Sequence, residues 1–144
     1  TDANVTTKRE SRGLSELWSL MGPDVPNRQY VAIQFSTSRG DSNWQFITSD
    51  NALTQEITDL GAAAVYAADT TYIVNFYSTD SGVTHNCQLY NASGTAIGSL
   101  GSHSTNVPDT TLAWNPGGHT LTLDNVVRSL LHHQYLIQIS ASAA

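Results

Sequence analysis

Three short stretches of the sequence place an aromatic side chain beside amides, hydroxyls and glycine. They are residues 42–45 around Trp44, residues 90–94 and residues 114–118. A pyranose stacks its apolar C–H face on an aromatic ring, and its hydroxyls pair with neutral donors and acceptors. The pattern predicts binding of a neutral glycan or glycoprotein. The residues predicted to carry it are Trp44, Tyr90, Asn91, Trp114 and Asn115. The alternative is that the tryptophans face inward and the amides only form turns.

A second candidate is the tripeptide Arg39-Gly40-Asp41, which lies in a polar, turn-rich stretch. At the tip of a hairpin, an exposed guanidinium and carboxylate on either side of a glycine would suit a metal-bearing adhesion receptor, and the tripeptide resembles the integrin-binding motif. Arg, Gly and Asp are also ordinary turn residues. The tripeptide therefore supports a second hypothesis, an adhesion or structural protein.

The sequence offers no recognisable catalytic, metal or cofactor site. Adjacent His132 and His133 would diverge by about 100° on a helix, so they cannot share a metal ion. His85, His103 and His119 are expected in or beside loops and lack metal-ligand spacing. There is no Gly-x-Ser-x-Gly elbow, and with only three glutamates in the chain a carboxylate pair for glycoside hydrolysis is unsupported. We therefore nominate no catalytic residue, metal ligand or cofactor, and a binding protein is favoured over an enzyme.

Composition narrows the partners. The chain has 144 residues and a net charge of −6, and charged residues make up only 12%, about half the globular average. This acidic balance argues against nucleic acid, and no apolar run is long enough to insert into a membrane. A sparsely charged acidic surface is compatible with a symmetric homodimer.

The first residue of the sequence and its two sequons lead us to expect a secreted, extracellular protein. It begins at Thr1 without methionine or an apolar leader, as a secreted protein would after signal-peptide removal. Sequons at Asn4 and Asn91 are candidate glycosylation sites. Cys87 is the single cysteine, so no internal disulfide can form, and a small buried apolar role is favoured over a reactive thiol or an intermolecular bridge.

Two amphipathic helices are predicted. Residues 8–21 carry Leu14, Leu17, Trp18 and Met21 at helical spacing, and residues 123–131 carry a wider apolar stripe that Asp124 would cap. Residues 50–60 suit either a short helix or a strand. Alternation and β-branched or aromatic residues predict strands, with residues 72–77 in mid-sheet and a turn at 115–118. The predicted strands cover residues 30–36, 44–48, 72–77, 86–90, 95–100, 110–114, 119–123 and 135–139.

These elements predict an α+β fold, a single antiparallel sheet of about six strands with an N-terminal and a C-terminal amphipathic helix packed on it. The whole chain, residues 1–144, is expected to be one domain, with flexible tails at 1–7 and 140–144.

The order of these elements resembles the N-terminal sheet domain of ribosome-inactivating proteins. The resemblance lies in a helix, strands, the segment Asp69–Phe76, and Gly117-Gly118 leading into the apolar stripe. It implies that Tyr72 would stack on a target adenine. His119 falls where that family has its second active-site tyrosine, and the chain has no Glu-x-x-Arg pair. The hypotheses are therefore a secreted lectin-like or defence-type glycan-binding protein, a toxin-like RNA N-glycosidase or its inactive relative, and the adhesion protein.

Overall fold

A computed structural model describes residues 8–15, 29–67, 70–109 and 115–122, with the backbone alone for 8–12, 15 and 115–122. The described residues form two antiparallel sheets. Apolar side chains from the inner faces of both sheets share one core, so the architecture is a β-sandwich.

The first sheet has five strands, β1 Lys8–Ser15, β2 Tyr30–Ser36, β3 Gln45–Ser49, β4 Gln55–Asp59 and β8 Asn115–Thr122. Their order in the sheet is β4-β3-β2-β1-β8. Its hairpin β2–β3 is closed by a loop containing a single 310 turn, Thr37–Arg39. Strand β1 lies between β2 and β8, pairing in full register with both.

The second sheet is a meander of three strands, β5 Tyr72–Tyr77, β6 His85–Asn91 and β7 Ala96–His103. A bulge interrupts the β6–β7 register between Cys87 and Leu89. It is accommodated by Gly98, whose φ is 73° and whose hypothetical Cβ would lie 2.5 Å from the Leu60 carbonyl oxygen. The backbone N–H of Ser99 donates to that same oxygen at 2.7 Å, which joins the two sheets directly.

The interior changes character along its length. An aromatic group around Trp44 lies at one end, an apolar centre contains Phe46, Cys87 and Leu89, and polar side chains including Thr48 and His103 occupy the other end. Both faces of β2 and β3 are buried except at Tyr30. Strands buried on both faces consist mainly of apolar or small residues, and these two strands follow that rule.

The predicted α+β fold class is wrong. Residues 8–15 form β1 instead of the first half of an N-terminal helix, and the described ranges contain no helix beyond the 310 turn. Gly13 accounts for part of this error. A glycine is costly in a helix, and here it is needed in a strand, because a Cβ would collide with the backbone of Val31 and Ala32. The structure also has two sheets in place of the single sheet expected.

Several local predictions were corrected as well. Residues 115–118 lie within strand β8 instead of a turn, and Pro116 is tolerated there because β8 pairs with β1 alone among the described strands. Residues 55–59 resolve the ambiguous stretch as strand β4. Strand β5 exists as predicted, but in the described part of the chain it pairs only with β6. The predicted helix over 123–131, the last strand over 135–139, both tails and the strand over 110–114 lie outside the described residues.

Candidate functional site

The open face of the second sheet presents aromatic, aliphatic and amide side chains to solvent. On β5, Ile73, Asn75 and Tyr77 are exposed while the alternate residues turn toward the core. Residues directly opposite in an antiparallel pair share a face, so the register places Tyr90, Gln88 and Asn86 of β6 beside them. Tyr90 and Gln88 are partly exposed there, whereas Asn86 is buried. We call this surface the open face. Its β7 members are Ala96, Leu100 and Ser102.

No residue of the open face carries a charge at neutral pH, although the chain as a whole has a net charge of −6. Ile73, Leu100 and Tyr77 are 47%, 49% and 38% exposed, which gives the face an apolar component. Gln88 donates its amide N–H to the carbonyl oxygens of Leu89 and Ile97 at 3.1 and 3.3 Å, bridging the bulge. Strand geometry puts Tyr77 and Tyr90 about 14 Å apart, with Asn75 between them.

Trp44 and Tyr72, both predicted ligand residues, belong instead to an aromatic group at one end of the core. Trp44 is only 3% exposed, and its indole Nε1 has no hydrogen-bond partner among the described residues. Its ring meets Tyr72 edge-on at 5.8 Å and lies 5.1 Å from Tyr66. Tyr72 donates its hydroxyl to the Val65 carbonyl at 2.8 Å and accepts from the Ala67 N–H at 3.0 Å. These contacts give both rings structural roles.

The other predicted sugar-binding residues are not brought together. Tyr90 lies on the open face, whereas the Asn91 amide oxygen accepts the backbone N–H groups of Ser93 and Thr95 at 3.0 and 2.9 Å and so shapes the β6–β7 turn. Asn115 begins β8, opposite Ser15 in the first sheet. Trp114 lies outside the described residues, as does the sequon at Asn4. The sequon at Asn91 lies in an exposed turn.

In the Arg39-Gly40-Asp41 loop the two charged side chains form an ion pair with each other. Arg39 donates two hydrogen bonds to Asp41, from Nε to Oδ1 at 2.8 Å and from Nη2 to Oδ2 at 2.5 Å. Asp41 also accepts the Ser36 backbone N–H at 2.8 Å, and its side chain is 6% exposed. Arg39 donates further to Gln34 Oε1 at 2.6 Å. The guanidinium and carboxylate that an adhesion receptor would engage are therefore occupied by each other.

A group that the sequence did not reveal lies at the polar end of the core, where five side chains from four strands converge. His103 on β7 is 1% exposed, and its Nδ1 and Nε2 hydrogen-bond the hydroxyls of Thr48 on β3 and Thr58 on β4, each at 2.9 Å. Its ring stacks on Phe46 at 4.3 Å. His85 on β6 pairs with His103 across the ladder, and Glu56 is the cross-strand partner of Thr48. We call Thr48, Glu56, Thr58, His85 and His103 the histidine cluster.

Burial governs the electrostatics of this cluster. Desolvation lowers the pKa of His103, opposed by the negative charge of Glu56 and reinforced by His85. Desolvation also lowers the pKa of His85, opposed by Asp80 and by a hydrogen bond to the Gly82 backbone. Both imidazoles are thus held neutral near pH 7. Glu56 Oε2 is buried without a hydrogen-bond partner in the described part of the chain.

The sequence interpretation missed this cluster because it expected both histidines in or beside loops. They instead terminate β6 and β7 with inward-facing side chains. One sequence signal could have shown that His85 faces inward: it alternates with the apolar Cys87 and Leu89 along β6. No such signal marks His103, because the apolar Leu100 on β7 is exposed. Within the described ranges, no group of three or more His, Cys, Asp or Glu side chains is arranged to hold a metal ion.

Comparison with known proteins found no matching family model, no matching curated protein and no matching solved structure. The resemblance to ribosome-inactivating proteins therefore stays a prediction. In the part of the chain that the structure describes, no helix has the length and apolar character needed to cross a membrane.

Proposed function

We propose that the protein is a glycan-binding module whose open face binds an extended, neutral carbohydrate. The observation that carries the proposal is an uncharged sheet surface on which the exposed Tyr77 and the partly exposed Tyr90 alternate with amides. Tyr77 and Tyr90 would stack on sugar rings, Asn75 would pair with hydroxyls, and Gln88 would accept from a hydroxyl through its Oε1. This set keeps Tyr90 from the sequence prediction and replaces the buried Trp44 by Tyr77.

The spacing of the rings favours a chain of sugars over a single one. With Tyr77 and Tyr90 about 14 Å apart, one pyranose cannot touch both rings, whereas an oligosaccharide lying diagonally across β5 and β6 can. A neutral ligand also suits the protein, because a surface without charges does not attract an ionic partner in preference to others.

The test is a glycan array followed by calorimetric titration of the strongest hits with the wild-type protein, Tyr77→Ala and Tyr90→Ala. Each substitution removes one stacking surface, so we expect binding to weaken about tenfold or more in each variant. Val83→Ala is the control, since Val83 is an exposed apolar residue in a turn outside the open face. It should bind as the wild type does.

Two results would overturn the proposal. One is a blank array with folded wild-type protein. The other is sedimentation showing a wild-type dimer that Tyr77→Ala converts to monomer, because the open face would then be covered by a second copy.

A further inference from the structure

We propose that the histidine cluster is an acid-sensitive latch between the two sheets. In neutral solution His103 joins the second sheet to the first through Thr48 and Thr58, and protonation of His103 and His85 weakens the sandwich at this end. The inference does not depend on the glycan proposal, because it concerns the interior and not the open face.

The geometry makes His103 a complete bridge in its neutral form. A neutral imidazole has one donor and one acceptor nitrogen, and a threonine hydroxyl can play either part. The two 2.9 Å contacts, to β3 and to β4, therefore satisfy the ring with a single proton. Phe46 covers one face of the ring at 4.3 Å.

A second proton disturbs this arrangement. Both ring nitrogens then donate, so the hydroxyl that had donated to the ring must turn to another acceptor. Thr48 is fully buried, which leaves its hydroxyl little alternative. The added charge also lies in a site that excludes water, and an uncompensated buried charge is costly.

The charged and titratable groups facing His103 do not compensate that cost. The charged and titratable groups acting on His103 are Glu56 of β4 and His85 of β6. Its contacts with β3 and with Thr58 are to neutral side chains. Glu56 and the Phe46 ring attract an imidazolium. A protonated His85 repels it, and burial lowers the pKa of His85 itself against the opposing charge of Asp80. The lowered pKa of both histidines agrees with this balance.

The direction of the pH effect follows from linkage. A histidine whose pKa is depressed by folding binds more protons in the unfolded chain, so stability is complete above the unfolded pKa of about 6.5. It is lost progressively as the pH falls below that value toward the folded pKa. Strands β6 and β7 should open first, because they carry the two histidines.

The direct test is a proton NMR titration of the wild-type protein, following the imidazole Cε1–H signals. We expect the His103 signal to titrate clearly below the free-histidine midpoint of about 6.5, or to stay neutral until the protein unfolds. Hydrogen exchange corrected for intrinsic pH dependence should show β7 amides losing protection at acidic pH before β2 amides do. A His103 midpoint at or above about 6.5 overturns the proposal.

Two variants complete the test through urea unfolding at about pH 7.5 and about pH 5. His103→Gln keeps a polar side chain without a titrating ring, and should lose most of the wild-type difference between the two pH values. Thr58→Val removes one hydroxyl and keeps the ring, so it should lower stability at both pH values and retain the acid loss. A His103→Gln protein with the full wild-type acid loss would contradict the latch.

Discussion

Asp41 shows how local contacts decide the meaning of a short motif. Its carboxylate accepts from the Ser36 backbone and from two guanidinium nitrogens of Arg39 while 6% exposed. Asp41→Asn weakens these charge-assisted bonds, and we expect a loss of about 1–3 kcal/mol in the free energy of unfolding, measured by urea denaturation. Asp109→Asn, at an exposed aspartate, is the control and should change stability little.

The same contacts bear on the adhesion hypothesis. Because the Arg39 and Asp41 side chains bind each other, we expect integrin-bearing cells not to attach to surfaces coated with the folded protein. Adhesion by the wild type that Asp41→Glu abolishes would show that the loop opens to engage a receptor.

Cys87 is an inert core residue. It is fully buried between the sheets, and burial raises the pKa of its thiol to about 12. The thiolate is the reactive form, so we expect negligible reaction with a thiol reagent at neutral pH until the chain unfolds. The rate of modification in increasing urea should follow the unfolding transition. Rapid modification of the native protein would contradict this placement.

Gly101 allows β7 to approach the first sheet closely. A Cβ at this position on β7 would lie 2.6 Å from a ring carbon of Phe46, which is itself fully buried. Gly101→Ala therefore forces overpacking, with an expected loss of about 1–3 kcal/mol in urea unfolding. Ser102→Ala, whose exposed side chain belongs to the open face, is the neighbouring control. Equal stability of the two variants would mean that the sheets adjust freely.

Strands that short-range sequence patterns define were predicted correctly. The β2–β3 hairpin and strands β5, β6 and β7 were predicted at nearly their observed places, because alternation and turn residues act over a few positions. Strand β1 was mistaken for a helix because its identity depends on partners far along the chain. Leu14 fits a helical stripe, but Gly13 is required by the close approach of β2, which no local pattern reports.

The candidate sites also show which features local sequence patterns can predict and which depend on the tertiary fold. Tyr90 was predicted as a ligand residue, and the structure places it on the open face. Its companion Tyr77 was missed, since residues 72–77 were expected in mid-sheet and were not assigned an exposed face. The histidine cluster joins residues 48 and 103 across two sheets, and only the tertiary fold brings such distant positions into contact.

In the first sheet, the strands from the two ends of the described chain pair with each other. Strand β1 pairs with β8 over eight positions, from Lys8 opposite Thr122 to Ser15 opposite Asn115. A chain ending at residue 109 would leave that edge of β1 unpaired, and we expect it to lose cooperative unfolding, as followed by circular dichroism in urea. A truncated chain with the wild-type transition would show that β8 is dispensable.

Because Lys8 pairs with Thr122, the chain enters β1 and leaves β8 at the same corner of the first sheet. The two Cα atoms lie about 5 Å apart. A short linker could therefore connect these points, and new ends could be opened at the exposed turn 80–83 between β5 and β6. Such a circular permutant would keep every strand pair described here. It would also place a fused label beside Tyr77, next to the proposed carbohydrate surface.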